Sequence, residues 1–182
     1  MDLLAVTLQN RLQMLRNTYS LPVLDAEWVC RVSRSSINFW ERGVRIPSAD
    51  GIRQIASAYG VSTDWVFGIS DTAYTPNSVE FAENYHQIRN TLLRCILSKI
   101  YSDATVTNEL INRYENEVMS NKFPLQSRAD IIVCCLYLQG YDNYFNSKPG
   151  VEPTIQQKNR MLWFKEMLLK VLQTKKPISN LQ

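Results

Sequence analysis

The segment 33–43, with the sequence SRSSINFWERG, limits the possible fold more than any other part of this chain. Ser33 is a residue type that caps helix N-termini, and Gly43 can adopt the left-handed conformation that ends a helix. Ile37 and Trp40 are spaced so that they share one helical face, which can be buried against a core. The segment is therefore predicted to form a short helix over residues 33–42 with one apolar face.

A different face of the same helix carries hydrogen-bond donors. Arg34, Asn38 and Arg42 recur about one helical turn apart, and each of these side chains can donate. A short helix with an apolar face and a donor-rich face fits the major groove of B-DNA. The sequence thus predicts the recognition helix of a DNA-binding domain.

The overall charge permits nucleic-acid binding but does not by itself indicate it. The 182 residues carry a net charge of +3, with 45% hydrophobic and 20% charged residues, as in ordinary globular proteins. Residues 33–47 contain three arginines and one glutamate, whereas the rest of residues 1–70 has more acids than bases. Because the positive charge is concentrated on the predicted reading segment, it favours the DNA-binding interpretation.

The cysteines and the histidine do not form a metal-binding pattern. Cys30, Cys95, Cys134 and Cys135 include no C-x-x-C pair, and His86 is the single histidine. No zinc ligand set, other metal or cofactor is therefore expected, and the thiols are expected to be reduced and mostly buried. No apolar run reaches the length of a membrane span and no leader pattern is recognised, so a soluble cytoplasmic protein is expected.

The predicted recognition helix is the third of five short helices. A first helix is predicted over residues 3–17 from the spacing of its leucines. The others are a second helix over residues 26–32 capped by Asp25, whose start is left open, a fourth helix after Ser48 that ends at Gly60, and a fifth helix after Ser62. Residues 1–70 are therefore predicted to form a compact all-α domain.

The second half of the chain is also predicted to be helical. Residues 71–78 are rich in turn formers and are predicted to be a linker between residues 1–70 and a second domain over residues 79–182. About four helices are predicted there, over residues 79–101, 105–120, 125–138 and 154–174. The apolar centre of residues 125–138 also fits a buried strand, but its length and polar lead-in favour a helix. Residues 175–182 are predicted to be a loose tail.

The last predicted helix is apolar on more than one face. Such a helix is either central to its own bundle or packed against a partner, and we expect a homodimer seam here. The alternative is an ordinary four-helix bundle core without a partner. The candidate seam residues are Trp163, Phe164, Met167, Leu168 and Val171.

Residues 8–71 resemble the helix-turn-helix domain of the phage-repressor (Cro/CI, or XRE) family. The resemblance implies a five-helix, lambda-repressor-like fold with the third helix in the major groove and the second lying across it. The motifs that carry it are Leu12-x-x-Leu15-Arg16, Val32-Ser33-Arg34-Ser35-Ser36-Ile37-x-x-Trp40-Glu41-Arg42-Gly43, Arg45-x-Pro47-Ser48, and Ile52-x-x-Ile55-Ala56-x-Ala58-Tyr59-Gly60-Val61-Ser62-x-Asp64-Trp65.

The resemblance also implies which residues read the bases. These positions fall on Arg34, Ser35, Asn38 and Phe39. Arg34 has the donor geometry for guanine and Asn38 that for adenine, although a solvated helix face is the alternative for both. Phe39 cannot hydrogen-bond, but it can contact a thymine methyl group.

Backbone phosphates are expected to be bound by residues at the two ends of the recognition helix. Arg42 and Arg45 flank its C-terminal end, with solubilising surface charge as the alternative. Ser33 lies at its N-terminal end. The resemblance further implies a structural ion pair between Arg16 and Glu41 that joins the first and third helices.

The second helix departs from the family pattern. Members usually begin it with S-Q-x-x-L-A, and the glutamine touches phosphate, whereas this chain has Pro22 and Val23 at the matching positions. Asp25 and Glu27 would repel phosphate if they faced it. Trp28 is either a buried anchor or an exposed contact.

These observations predict a sequence-specific transcription regulator. We expect a repressor of the phage or mobile-element type that binds double-stranded DNA, at an inverted-repeat operator, as a homodimer through its C-terminal helices. Its expected location is the nucleoid of a bacterial or phage-infected cell. The alternative is a DNA-tethered adaptor whose helical second half binds a regulatory protein or peptide. No P-loop, GxGxxG or GxSxG motif is present, so an enzyme is not expected.

Overall fold

The computed structural model of the protein describes residues 3–79, 83–178 and 181, with side chains outside 79–88. These residues form helices and no strand, which confirms the predicted all-α class. In the N-terminal region the described helices are α1 (Leu3–Thr18), α2 (Val23–Cys30), α3 (Arg34–Glu41), α4 (Ala49–Tyr59) and α5 (Thr63–Val66). They follow the predicted five-helix order.

The second region contains four long helices after a short one. The described helices are α6 (Pro76–Val79), α7 (Glu83–Ile100), α8 (Ala104–Met119), α9 (Leu125–Asn146) and α10 (Ile155–Thr174). The segment that also fitted a strand is the first part of α9. This helix was predicted to end at Leu138, but it continues through Gly140 because its last turns pack on α2.

Serine caps begin three of the helices as predicted. The side chains of Ser33, Ser48 and Ser62 accept hydrogen bonds from backbone N–H groups in the first turns of α3, α4 and α5. The prediction that Asp25 caps α2 is wrong, because α2 begins earlier, at Val23, directly after Pro22. Asp25 lies in the first turn, where it is buried.

Helix α9 is the central element of the fold. It packs against α7 and α10 of the second region and also against α2 and α4 of the N-terminal region. One approach is close at Gly60, where an added Cβ would lie 2.7 Å from the Ala129 Cβ. Gly60 also has a φ of 64°, so both the close approach of Ala129 and the left-handed backbone disfavour a side chain at this position. The two regions of the chain therefore share one apolar core built around α9.

The inner face of α10 belongs to that same core. Phe164, Leu168 and Val171 are almost completely buried within the chain, and the Phe164 ring stacks on Tyr137 of α9 with centroids 4.0 Å apart. These three residues therefore do not form a dimer seam, which corrects the expectation for them. Their burial follows from the packing of α10 along α9. The other two candidates, Trp163 and Met167, are only partly buried.

The described part of the C-terminal segment is packed rather than loose. Ser127 Oγ donates to the Lys175 carbonyl at 2.6 Å, and the Ile178 N–H donates to Asp130 Oδ2 at 2.5 Å. Leu181 is only 4% exposed. These contacts tie the segment to the beginning of α9, a long-range arrangement that residue composition does not reveal. Within the described ranges, no helix combines the length and apolar character needed to cross a bilayer.

Candidate DNA interface

Helix α3 has one buried face and one open face. Ile37 is only 5% exposed and packs into the core, and the partly buried Trp40 lies against Gly51 of α4. Arg34, Ser35 and Asn38 are exposed. The structure therefore brings the three hydrogen-bonding candidates for base contact onto one accessible surface.

Serine hydroxyl groups organise the beginning of α3. Ser33 Oγ accepts a hydrogen bond from the Ser36 N–H at 3.2 Å, which satisfies one of the free donors of the first turn. The Ser35 and Ser36 hydroxyls lie 3.1 Å and 2.9 Å from the same oxygen. Ser33 is exposed, so its cap role and a contact to a phosphate beyond the helix end are compatible.

An ion pair between Arg16 and Glu41 attaches the end of α3 to α1. Arg16 Nε lies 2.7 Å from Glu41 Oε1 and Arg16 Nη2 lies 2.8 Å from Oε2, a two-pronged geometry. The hydrogen bond to Glu41 raises the pKa of Arg16. Arg16 also donates to the Leu21 carbonyl, just before α2. The pair therefore holds both helices of the helix-turn-helix in place and neutralises the carboxylate.

Apart from Glu41, the charged side chains of α3 and of the turn that follows it are positive. Arg42 and Arg45 are exposed, as is Arg34 at the other end of α3, and the negative charge of Glu41 is buried and paired. The Arg45 guanidinium lies over the Phe39 ring, 4.9 Å from its centroid. Phe39 is thus partly covered, with only a portion of its ring available to a base.

Asp25 and Trp28 lie on the side of α2 that faces α9. The Trp28 ring lies 5.1–6.0 Å, centroid to centroid, from aromatic rings along α9. These rings belong to Tyr137, Tyr141, Tyr144 and Phe145. Trp28 therefore anchors α2 to α9 and is not an exposed contact, which were the two alternatives that the sequence left open. Asp25 is 1% exposed, so its carboxylate does not face DNA.

A polar groove runs beside the start of α3, and it was not found from the sequence. It lies between α2 and the C-terminal end of α9 and has a volume of about 570 Å³. Arg31, Arg34 and Lys148 contribute its basic groups, and Glu27 contributes a carboxylate. Sequence patterns could not have joined residues from such distant positions, and Arg31 was expected inside the second helix, whereas α2 ends at Cys30.

Three of the four thiols lie within the core. Cys30, Cys134 and Cys135 are buried, whereas Cys95 is exposed. Burial raises the pKa of the Cys30 thiol to about 12. Among the residues with described side chains, no three His, Cys, Asp or Glu groups lie close enough together to hold a metal ion.

Two short helices joined by a tight turn, the second of which exposes hydrogen-bond donors, are the arrangement of a helix-turn-helix DNA-binding motif. Residues 29–66 match the protein-family model described as Helix-turn-helix, from Val29 in α2 to Val66 at the end of α5. The resemblance to the XRE family is thereby confirmed for this segment, and the chain carries the DNA-binding domain of a transcription regulator. No curated protein and no solved structure shows significant similarity to the chain.

Proposed function

We propose that this transcription regulator is a sequence-specific repressor that binds an inverted-repeat operator as a homodimer. The observation that carries the proposal is the exposed row of Arg34, Ser35 and Asn38 on a helix whose opposite face is anchored in the core. Side chains on a rigid helix enter the major groove in a defined register, which base discrimination requires.

Each exposed side chain has a chemical role in this proposal. Arg34, in the first turn of α3, bridges O6 and N7 of a guanine with two parallel hydrogen bonds. Asn38, one turn further on, pairs with the N6 and N7 edge of an adenine. Ser35 donates to a base or to a nearby phosphate. Phe39 contacts a thymine methyl group with the part of its ring that Arg45 leaves open.

Contacts to the DNA backbone set the position of α3 in the groove. Arg42 and Arg45 lie beyond the C-terminal end of the readers, and Ser33 lies at the other end. Phosphate contacts of this kind position a protein without specifying sequence. A regulator held at a promoter in this way excludes polymerase by occupancy, so repression needs no further active surface.

The homodimer follows from the small size of the reading element. Helix α3 has eight residues and can reach only a few base pairs. Two copies related by a twofold axis read two half-sites about one DNA turn apart, and the connection between them raises the effective concentration of the second helix. The partly exposed Trp163 and Met167 lie beside Leu162, which is 48% exposed, and this outer edge of α10 is the proposed contact.

Selection of bound sequences from a random DNA pool tests the proposal. The expected product is an inverted repeat whose half-sites are centred about 10 base pairs apart. Light scattering should show a dimer on that product. Lack of any sequence enrichment would overturn sequence-specific binding. A single half-site bound by a monomer would overturn the dimer and favour an adaptor that uses the N-terminal domain as a tether.

A further inference from the structure

We infer that the groove between α2 and the C-terminal end of α9 is a second DNA-contact surface, which holds backbone phosphates through Arg31 and Lys148. The inference rests on the proposed DNA binding by α3 and extends it to the second half of the chain. Arg34 lines the groove and also belongs to the exposed face of α3, so the two surfaces are continuous. A duplex seated on α3 therefore passes the mouth of the groove.

The groove is built on a rigid junction. At Gly140 of α9, an added Cβ would lie 2.5 Å from the Trp28 Cβ and 3.2 Å from the Trp28 Cα and carbonyl oxygen, so the two helices touch at the level of their backbones. Trp28 is further held by rings before and after this point. Lys148, just past the end of α9, is thus fixed relative to α3, as a groove that registers on DNA requires.

Arg31 occupies the turn between α2 and α3 in an unusual conformation. Its φ is 55°, in the left-handed region that residues with a side chain rarely adopt, and its N–H closes α2 by donating to the Glu27 carbonyl. The exposed guanidinium reaches across the groove, with Nη2 donating to Gln139 Oε1 of α9 at 3.1 Å. A guanidinium has five N–H donors, so this contact leaves other N–H groups for a phosphate.

Lys148 provides the matching charge on the opposite wall. Its ammonium lies 4.2 Å from the centroid of the Tyr144 ring, which directs the exposed side chain along the groove. The exposed Asn143 adds an amide donor on the same wall. Of the described residues that line the groove, three are basic and one, Glu27, is acidic. The net positive charge and the open polar shape fit a phosphodiester backbone.

Charge-removing variants test this surface through the salt dependence of binding. Arg31→Gln and Lys148→Gln would be titrated with the selected operator and with a random-sequence duplex between about 0.05 and 0.3 M salt. Each variant should weaken both duplexes by about fivefold near 0.1 M salt and lower the slope of log K against log salt by about 0.9. The preference for operator over random DNA should stay unchanged, because phosphate contacts carry no sequence information.

Lys122→Gln is the matched control. It removes the same charge from an exposed lysine next to the beginning of α9, and the 22 residues of that helix place its other end, beside Lys148, about 33 Å away. Its affinity and salt slope should equal those of the wild type.

The outcomes separate this inference from the proposed function. If the wild type selects no DNA sequence, both are overturned. If it selects an operator but both groove variants, shown to be folded by thermal melting, keep its salt slope, only the second surface is overturned. The same holds if Lys148→Gln lowers stability without changing affinity, because the lysine then serves only to compensate the terminal carbonyl groups of α9.

Discussion

Asp25 of α2 and Arg160 of α10 form an ion pair that joins the helix-turn-helix to the last helix of the chain. Arg160 Nε lies 2.6 Å from Asp25 Oδ2, and the carboxylate is only 1% exposed. The Tyr137 hydroxyl of α9 donates to the same oxygen at 3.2 Å. The orientation of α2, and with it the presentation of α3, therefore depends on residues from the second half of the chain.

Replacing Asp25 by Asn should destabilise the protein by about 2–3 kcal/mol, because Arg160 and Tyr137 lose the charge of their shared acceptor in a buried site. Urea unfolding would measure the change. Asp142→Asn is the control, since Asp142 pairs with Lys99 at 2.6 Å near the surface and its side chain is 35% exposed. The control should lose no more than about 1 kcal/mol. Equal losses would contradict a special role for the Asp25 site.

Replacing Arg34 by Ala should weaken operator binding by about 1–3 kcal/mol and relax the preference at one base position of each half-site. The expected reason is the loss of the paired hydrogen bonds to guanine. Binding titrations with single-base operator variants would measure both effects. Arg53→Ala removes an exposed arginine from α4 and is the control, with little expected change. Operator affinity and base preference equal to the wild type would show that α3 is placed in a different register.

Local signals predicted the elements of the reading surface. Ser33, Ser48 and Ser62 each cap a helix through a hydrogen bond to a residue two or three positions away, an interaction that the nearby sequence specifies. The burial of Ile37 likewise follows from helical spacing alone. These short-range effects explain why the position of α3, and its buried and exposed faces, could be predicted from the sequence.

Long-range contacts account for the expectations that were wrong. Asp25 is a common capping residue, but its partner Arg160 lies 135 positions further along the chain. Phe164 and Leu168 have the residue types of either a core or an interface, and only the packing of α10 on α9 assigns them to the core. The groove residues Arg31 and Lys148 are likewise brought together by the tertiary packing of α2 against α9.

Alkaline pH should destabilise the protein partly through Cys30. Burial raises the pKa of this thiol to about 12, whereas an exposed cysteine titrates near about 8.5. Between these values the unfolded state loses the proton and the folded state keeps it, so unfolding becomes more favourable as pH rises. The contribution is fully present below the pKa of the unfolded thiol and is lost as pH climbs towards that of the folded one.

Cys30→Ala should therefore make the pH dependence of the unfolding free energy shallower by about 1.4 kcal/mol per pH unit above about pH 9. Urea unfolding at a series of pH values would measure it. Cys95→Ala is the control, because Cys95 is exposed and folding does not remove its thiol from water. The removal of the Cys30 side chain also leaves a cavity, which lowers stability at every pH and does not affect the slope. If the curves of unfolding free energy against pH were parallel for wild type and Cys30→Ala, the pKa of the Cys30 thiol would not be raised by folding.

Replacing Gly140 by Ala should destabilise the protein although alanine is the better helix former. Propensity favours the change by about 1 kcal/mol, but the new Cβ would lie 2.5 Å from the Trp28 Cβ and 3.2 Å from its backbone. Neither contact can be relieved by rotating a side chain, so α2 and α9 must separate. Overpacking of this kind costs about 1–3 kcal/mol, and a net loss of about 1 kcal/mol or more is expected.

Gly51→Ala in α4 separates this effect from general crowding. Its added Cβ would lie 2.7 Å from the far edge of the Trp40 ring, which belongs to a side chain that can adjust. Urea unfolding should therefore show a smaller loss for Gly51→Ala than for Gly140→Ala. Operator affinity should fall more for Gly140→Ala as well, because separation of α2 from α9 moves the start of α3. If Gly140→Ala were as stable as the wild type, the backbone contact between α2 and α9 would not determine how α3 is held.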